Sequence, residues 1–302
     1  VAVTTLGCGN CGAALAVDGV RTATCPYCAS PNVVARPPTA DRPTPVFVVP
    51  FAAGDALARR ALASWIGDRS WFVDGAVRDA TVDELRGVYV PAYLYSAVGR
   101  SEFTAQIGEH YTETEEVTVT DSEGKQRTET RSVTRTEYRA LAGRHVGYVT
   151  DVVVSASAGL PNAELEAVEP FDTGDLRRFG PALVAGWTTE EFAVPRDESI
   201  KIARREASGG VQRRLARFMP GDGHSDLASR LTVEWESLEP ILVPVWVLAV
   251  RYRADKPPLR VVINGQTGKA AGRAPLSPWR VIAAIVAAVV VIAGLALLAR
   301  HR

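Results

Sequence analysis

The sequence predicts an α+β protein in three parts: a small cysteine-bearing module, a duplicated body with antiparallel strands, and one long apolar helix at the C-terminus. Three observations carry this: two CxxC pairs near the start, a strand and helix pattern that recurs in register, and an uncharged run near the end. The 302 residues are 47% hydrophobic, enough for a packed core and about two domains. Lys plus Arg and Asp plus Glu both total 34, so no net field attracts nucleic acid or an anionic surface, and any such contact must be local.

Cys8, Cys11, Cys25 and Cys28 read CxxC, thirteen residues, CxxC. At that spacing two tight turns present four thiolates tetrahedrally to one zinc ion. Between them, residues 14–17 and 20–24 flank Asp18-Gly19, a dipeptide suited to a two-residue hairpin turn. Gly9, Gly12 and Pro26 suit cramped knuckles. Residues 1–36 are therefore expected to form a zinc ribbon around one structural Zn2+, too small to fold without metal or disulfides. Two disulfides are the competing use of these cysteines, but residues 1–20 show no export signal, and paired CxxC knuckles suit a reducing compartment. A closed four-thiolate shell leaves no position for water, which argues against zinc catalysis. The module carries Arg21 and Arg36 against Asp18, too little charge to grip phosphates, so its expected contacts are structural or with protein.

Residues 37–45 follow as a proline-rich linker; 36–45 holds four prolines in ten residues, which favours an extended spacer that holds the ribbon away from the body. At the other end, 281–299 is nineteen residues of Val, Ile, Leu, Ala and one Gly, long enough as a helix to cross a bilayer core of about 30 Å. Ser277-Pro278 supplies a helix start, Trp279 suits the headgroup layer, and Arg280 and Arg300 bracket the span, so a transmembrane helix is expected over 279–300. Reduced thiols at one end and a terminal span at the other place the bulk of the chain in the cytoplasm, as a single-pass cell-membrane protein.

The α+β body is expected over 46–275. FVVP at 47–50 is followed after seven residues by Ala58-Arg59-Arg60, and FAVP at 192–195 after seven residues by Ala203-Arg204-Arg205. Each reads as a strand stopped by proline and then a helix, the first marked by Leu57, Leu62 and Trp65, the second by Ile200, Ala203, Ala207, Val211, Leu215 and Phe218. VPAYLY at 90–95 is echoed by VPVWVL at 243–248, with further strands at 101–107 and 260–264. An internal repeat, about 47–111 and 192–272, follows, and prolines inside strand-like runs point to edges or strand starts. Residues 112–136 suit a polar hairpin about 121–124 with Glu115 opposite Arg131. Disorder is the other reading of this polar stretch. Residues 197–218 carry six Lys and Arg against three acids; a solvated helix face is the plainer reading, anionic headgroups the other.

Catalytic patterns are sparse. His110, His145, His224 and His301 share no ligand or base-nucleophile spacing, and HExxH, GxSxG and GxxxxGK[ST] are absent. The GQTGK at 265–269 is too short for a phosphate loop and better suits a turn after 261–263, while Glu190-Glu191 and Glu234/Glu236 have no assignable partner. The chain is expected not to be an enzyme and to have no catalytic residue or organic cofactor.

CGNC and CPYC, GVYVPAYLY, DVVVSAS, PILVPVW and VVINGQTGKAAG together resemble bacterial TFIIB-type zinc-ribbon membrane proteins along nearly the whole chain. The resemblance implies a membrane-bound cytosolic scaffold or adaptor, with Cys8, Cys11, Cys25 and Cys28 as the metal ligands. Some relatives are associated with SPFH-domain proteins and phage-shock protein A in envelope-stress systems. It implies protein partners at a lipid bilayer. Competing readings are a nucleic-acid-binding regulatory ribbon and an enzyme housed in the body.

Overall fold

The computed structural model describes residues 3–18, 24–37, 42–52, 54–68, 71–78, 81–120, 126–253, 255–256 and 258–300. The protein is mixed α+β with a large sheet. In chain order the strands and helices are β1 (Val3–Cys8), β2 (Ala14–Asp18), β3 (Val33–Arg36), β4 (Phe47–Val48), α1 (Asp55–Gly67), β5 (Thr81–Thr120), β6 (Gln126–Ser155) and α2 (Asn162–Val168). They continue as β7 (Arg177–Arg178), α3 (Pro181–Val184), β8 (Thr188–Glu190), α4 (Arg196–Phe218), β9 (Gly223–Arg251), β10 (Leu259–Asn264), β11 (Ala270–Gly272) and α5 (Pro278–Arg300). The strand order is β11-β10-β9-β5-β8-β2-β1-β3, with β4 beside β7 and β9, and β6 beside β5.

Two compact units divide the chain: Val1–Leu94, Val153–Ser199 and Leu238–Arg302 form the first, Tyr95–Val152 and Ile200–Ser237 the second. In the first, alternation along β9 sends side chains to both faces. Ile241, Val243, Val245 and Val247 bury against Val88, Val90 and Ala92 of β5 and Leu165 and Val168 of α2. Trp246, Leu248 and Val250 bury with Ala58, Leu62 and Trp65 of α1, whose apolar spacing follows the helical period. Such two-sided burial explains why this run is apolar at nearly every position rather than at alternate ones. Phe51 stacks on Trp187 with ring centroids 4.1 Å apart and meets Trp246 edge-on at 5.1 Å.

The two proline-containing runs are interior stretches of long strands, not edges. On one side of β9, the carbonyls of Pro240, Leu242 and Pro244 accept from Val46, Val49 and Gly265. Along that side the partner changes from β4, paired in parallel at Ile241 and Leu242, to β10, paired from Val245 onward. The missing N–H groups of Pro240 and Pro244 therefore fall where ladder hydrogen bonds are being handed from one strand to another. Strand candidates 90–95 and 101–107 likewise merge into β5.

Residues 192–194 form no strand: Ala193 and Val194 donate to the Ala156 carbonyl, and Pro195 accepts from Glu198 and Ser199 at the start of α4. The proposed duplication of 47–111 and 192–272 thus rests on the sequence registers. The 264–270 connection is a hairpin, closed by Asn264 N–H to Lys269 at 2.9 Å. Asn264 Oδ1 accepts from Gln266 and Thr267, so the segment is turn structure rather than a phosphate cradle.

The second unit contains the polar hairpin. His110 meets Thr136 at 2.9 Å and Glu102 pairs with Arg144 at 3.2 Å, so β5 and β6 run antiparallel. The same register puts Glu115 opposite Arg131, as the sequence suggested, while Arg135 forms the ion pairs with Glu113 and Glu115. On α4, Ala203, Ala207, Val211 and Leu215 form a buried stripe, while Phe218 is exposed. Gly19, residues 20–23, 38–41 of the linker, the 121–124 turn and the last two residues lie outside the described residues.

The linker does not hold the cysteine module away from the body. Strand β2 pairs with β8, Leu15 opposite Glu190 and Ala16 opposite Thr189. Leu6, Ala13, Leu15 and Tyr27 share one core with Val88, Val153 and Leu160. So small a module lacks enough apolar residues of its own and borrows the body's.

The aromatic cluster gives a direct test. A Cβ added at Gly87 would lie 2.3 Å from the Trp187 ring. Gly87→Ala is expected to destabilise the first unit by about 1–3 kcal/mol through overpacking; urea denaturation followed by tryptophan fluorescence measures it.

Candidate metal centre

The two knuckles are built alike. In the first, Cys8 N–H donates to Ala13 at 2.8 Å and Gly12 N–H to Cys8 at 3.0 Å. In the second, Cys25 N–H donates to Ser30 and Ala29 N–H to Cys25, both at 2.9 Å. The closing position is left-handed in both, with φ of 80° at Gly12 and 54° at Ala29. Glycine adopts that conformation freely, whereas alanine holds it only where surrounding structure compensates the strain. At Gly9 a Cβ would approach Nδ2 of the exposed Asn32 side chain to 2.5 Å.

These turns bring all four sulfurs within 4.8 Å of one another. Cys8 and Cys28 Sγ are 3.6 Å apart, and Cys11 and Cys25 Sγ 3.5 Å. All four cysteines are free of disulfides. For metal–sulfur bonds of about 2.3 Å, a regular tetrahedron needs sulfurs roughly 3.8 Å apart, so a single ion fits with little adjustment. Cys8 and Cys25 are buried, Cys11 and Cys28 half-buried.

Hydrogen bonding from the Cys25 thiol holds Cys11 low, at about 5. Cys25 is pushed up by that same bond and by burial, and burial likewise raises Cys28. Burial thus opposes ionisation of Cys25 and Cys28, and a cation among the sulfurs would relieve that cost. The sequence-predicted ligands Cys8, Cys11, Cys25 and Cys28 therefore come together as a group able to hold a metal ion.

Behind the second knuckle lies a carboxylate whose partners were not legible in the sequence. Glu190 is 3% exposed and accepts from Tyr27 Oη at 2.6 Å, Ser157 Oγ at 2.5 Å and Gly159 N–H at 3.0 Å. Its neighbour Glu191 accepts from Thr5 Oγ1 at 2.6 Å and pairs with Arg42 of the linker. Arg86 adds a hydrogen bond to the Thr24 carbonyl at 2.8 Å. Glu190-Glu191 thus ties the cysteine module, the linker and the body together. The other acidic pair is also engaged: Glu234 with Arg100 at 3.0 Å, and Glu236 with Arg204 and Tyr95. The only hint in the sequence was a pair of adjacent acids beside apolar strand residues.

Comparison with known proteins finds similarity to "Uncharacterized protein YdjG" of Bacillus subtilis (strain 168), 22% identical over 243 residues. The match covers 79% of this chain and 66% of that protein, just under two thirds of its length. No family model matches the chain. No solved structure matches it.

Two outcomes follow from this geometry. Replacing Cys25 and Cys28 by serine removes two of the four sulfurs able to hold an ion, and four-thiolate groups of this kind bind structural zinc with apparent energies on the order of 10 kcal/mol. Because Cys8, Cys25 and Tyr27 lie in the shared core, the double variant is expected to lose the capacity to hold a metal ion and to loosen Val88, Val90 and Leu160 as well. Metal analysis and amide hydrogen exchange measure this; unchanged exchange in β5 would show that the module folds separately.

The second outcome concerns pH. Burial pushes the Glu190 carboxyl above its ordinary range even though three donors oppose the shift. A raised carboxyl contributes stability in full below its unfolded value of about 4.3 and loses it as pH rises through the folded value. Over that window the thermal midpoint should fall more steeply for the native chain than for Glu190→Gln.

Proposed function

We propose that this chain is a membrane-anchored cytosolic adaptor, not an enzyme, in which Cys8, Cys11, Cys25 and Cys28 hold one structural zinc ion and α5 crosses the bilayer once. The observation that carries the reading is a closed group of four sulfurs in a chain whose last helix is apolar and uncovered. Sulfur ligands in tetrahedral array suit zinc or iron, and zinc adds no redox chemistry to a module that is part of the folded core. Four protein ligands fill the shell, so the ion would act by holding the knuckles together.

The helical stretch Pro278–Ala296 is long and apolar enough to cross a membrane, and none of it is buried. Ile285, Val286, Val290 and Val291, which lie around the circumference of α5, all stand exposed. A core helix of a water-soluble protein would be covered on at least one face; here every face needs a lipid-like surrounding. With the bulk of the chain in the cytoplasm, the cysteine module and the β3 edge beside it are the surface offered to protein partners. Resemblance to zinc-ribbon membrane proteins suggests SPFH-domain or phage-shock protein A-like partners and a role in envelope stress. Balanced charge, 34 basic against 34 acidic residues, argues against a nucleic-acid partner.

The test compares the native chain, Cys25→Ser/Cys28→Ser, and Val34→Asp on the half-exposed β3 edge, each crosslinked in cells and purified in detergent. All three should resist carbonate extraction, only the cysteine variant should lose zinc, and both variants should lose at least one crosslinked protein. Retention of every partner by both would overturn the recruitment role; release of the native chain by carbonate would overturn the anchor.

A further inference from the structure

Four exposed, large apolar residues lie on two distant stretches of the chain that meet at the first turn of α5. Trp71 and Phe72 belong to the segment before β5; Leu276 and Trp279 begin the last helix. All stand in the open, Trp71 at 56% and Trp279 at 77% exposure. Trp71 and Phe72 pack edge to face with centroids 5.5 Å apart.

The segment carrying them is firmly held. Val73 forms a β-bridge with Leu276, Ser277 N–H donates to Phe72 at 2.8 Å, and Asp74 N–H to Pro275 at 2.9 Å. Arg280 donates to the carbonyls of Trp71 at 2.8 Å and Val73 at 3.0 Å, and its guanidinium lies 5.5 Å from the Trp71 ring centroid. Beneath, Val73 and Val77 are buried with Trp65 and Trp246, and Asp74 pairs with Arg253 at 2.8 Å. The backbone is clamped while the two rings point away from the core, the reverse of what a water-facing segment gains from its aromatics.

We propose that Trp71 and Phe72, with Leu276 and Trp279, form a platform that inserts into the headgroup layer of the same bilayer that α5 crosses, seating the first unit directly on the membrane surface. This rests on the reading of α5 as a span. Depth decides in favour of lipid. At 1.5 Å per residue, 281–299 spans about 28 Å, which fills the hydrocarbon core, so 276–280 falls in the interfacial layer of roughly 5–8 Å on that side. Trp71, Phe72 and Val73 are hydrogen-bonded or bridged to that stretch and must lie near the same depth. Tryptophan beside arginine is the composition that this layer favours. Arg280, spent on protein carbonyls, serves as the clasp that fixes the angle between platform and helix.

The experiment uses the full chain reconstituted into phosphatidylcholine vesicles carrying bromine either near the headgroups or deep in the acyl chains. Fluorescence of the native chain, Trp71→Phe and Trp279→Phe is compared, and metal content and thermal midpoint confirm that both variants fold. Each single replacement should remove a component that is quenched by the shallow bromine and spared by iodide in the water. If the Trp279 component is quenched but that of Trp71 responds to iodide instead, the platform fails while the span stands. A Trp71 component shielded from both quenchers would mean that a protein or a second copy covers it, which also overturns the proposal. Carbonate extraction of the native chain, with neither component quenched, would sink the span and the platform together.

Discussion

Four sulfur atoms within 4.8 Å of one another cannot all carry negative charge in a half-buried setting unless a cation sits among them. That constraint reaches beyond the knuckles. Cys8 and Cys25 belong to the same buried cluster as Val88, Val90, Leu160 and Ile241, so the packing around the sulfurs is continuous with that of the sheet. Glu190 adds a second burden of the same kind, a carboxylate placed in the core and satisfied by Tyr27, Ser157 and Gly159. The cysteine module and the body each complete the hydrogen bonding of the other.

This coupling changes what the module can be. A ribbon on an extended proline spacer would be a tethered knob, free to find partners at a distance. A cysteine module whose β2 pairs with β8, and whose linker residue Arg42 pairs with Glu191, is instead a fixed part of the molecular surface. Recruitment under the proposed function would therefore act through a composite surface, and loss of metal would register in the body as well as in the knuckles.

Long strands pose the other organising problem. β5 and β9 are 40 and 29 residues long, and each contributes to both compact units. Proline usually marks where a strand ends, and Pro91, Pro240 and Pro244 invite a division into shorter pieces. On β9 the side of the strand that lacks those donors is the side on which β4 gives way to β10, so the ladder loses little and the strand continues. That compensation depends on neighbours distant in sequence.

By itself the sequence determined the local features: the grouping of four sulfurs, through the spacing of Cys8, Cys11, Cys25 and Cys28; the period of α1 and of the buried stripe on α4; the turn at Asn264; and the apolar length of α5. Each depends on residues only a few positions apart, where spacing translates directly into geometry. Tertiary structure alone decided that the cysteine module merges with the body, that Glu190 and Glu191 find Tyr27, Thr5 and Arg42, and that Trp71 and Phe72 stand beside the first turn of α5. Those outcomes join residues as much as 209 positions apart. Their energy comes from burying groups that no short window contains, so no local pattern could announce them.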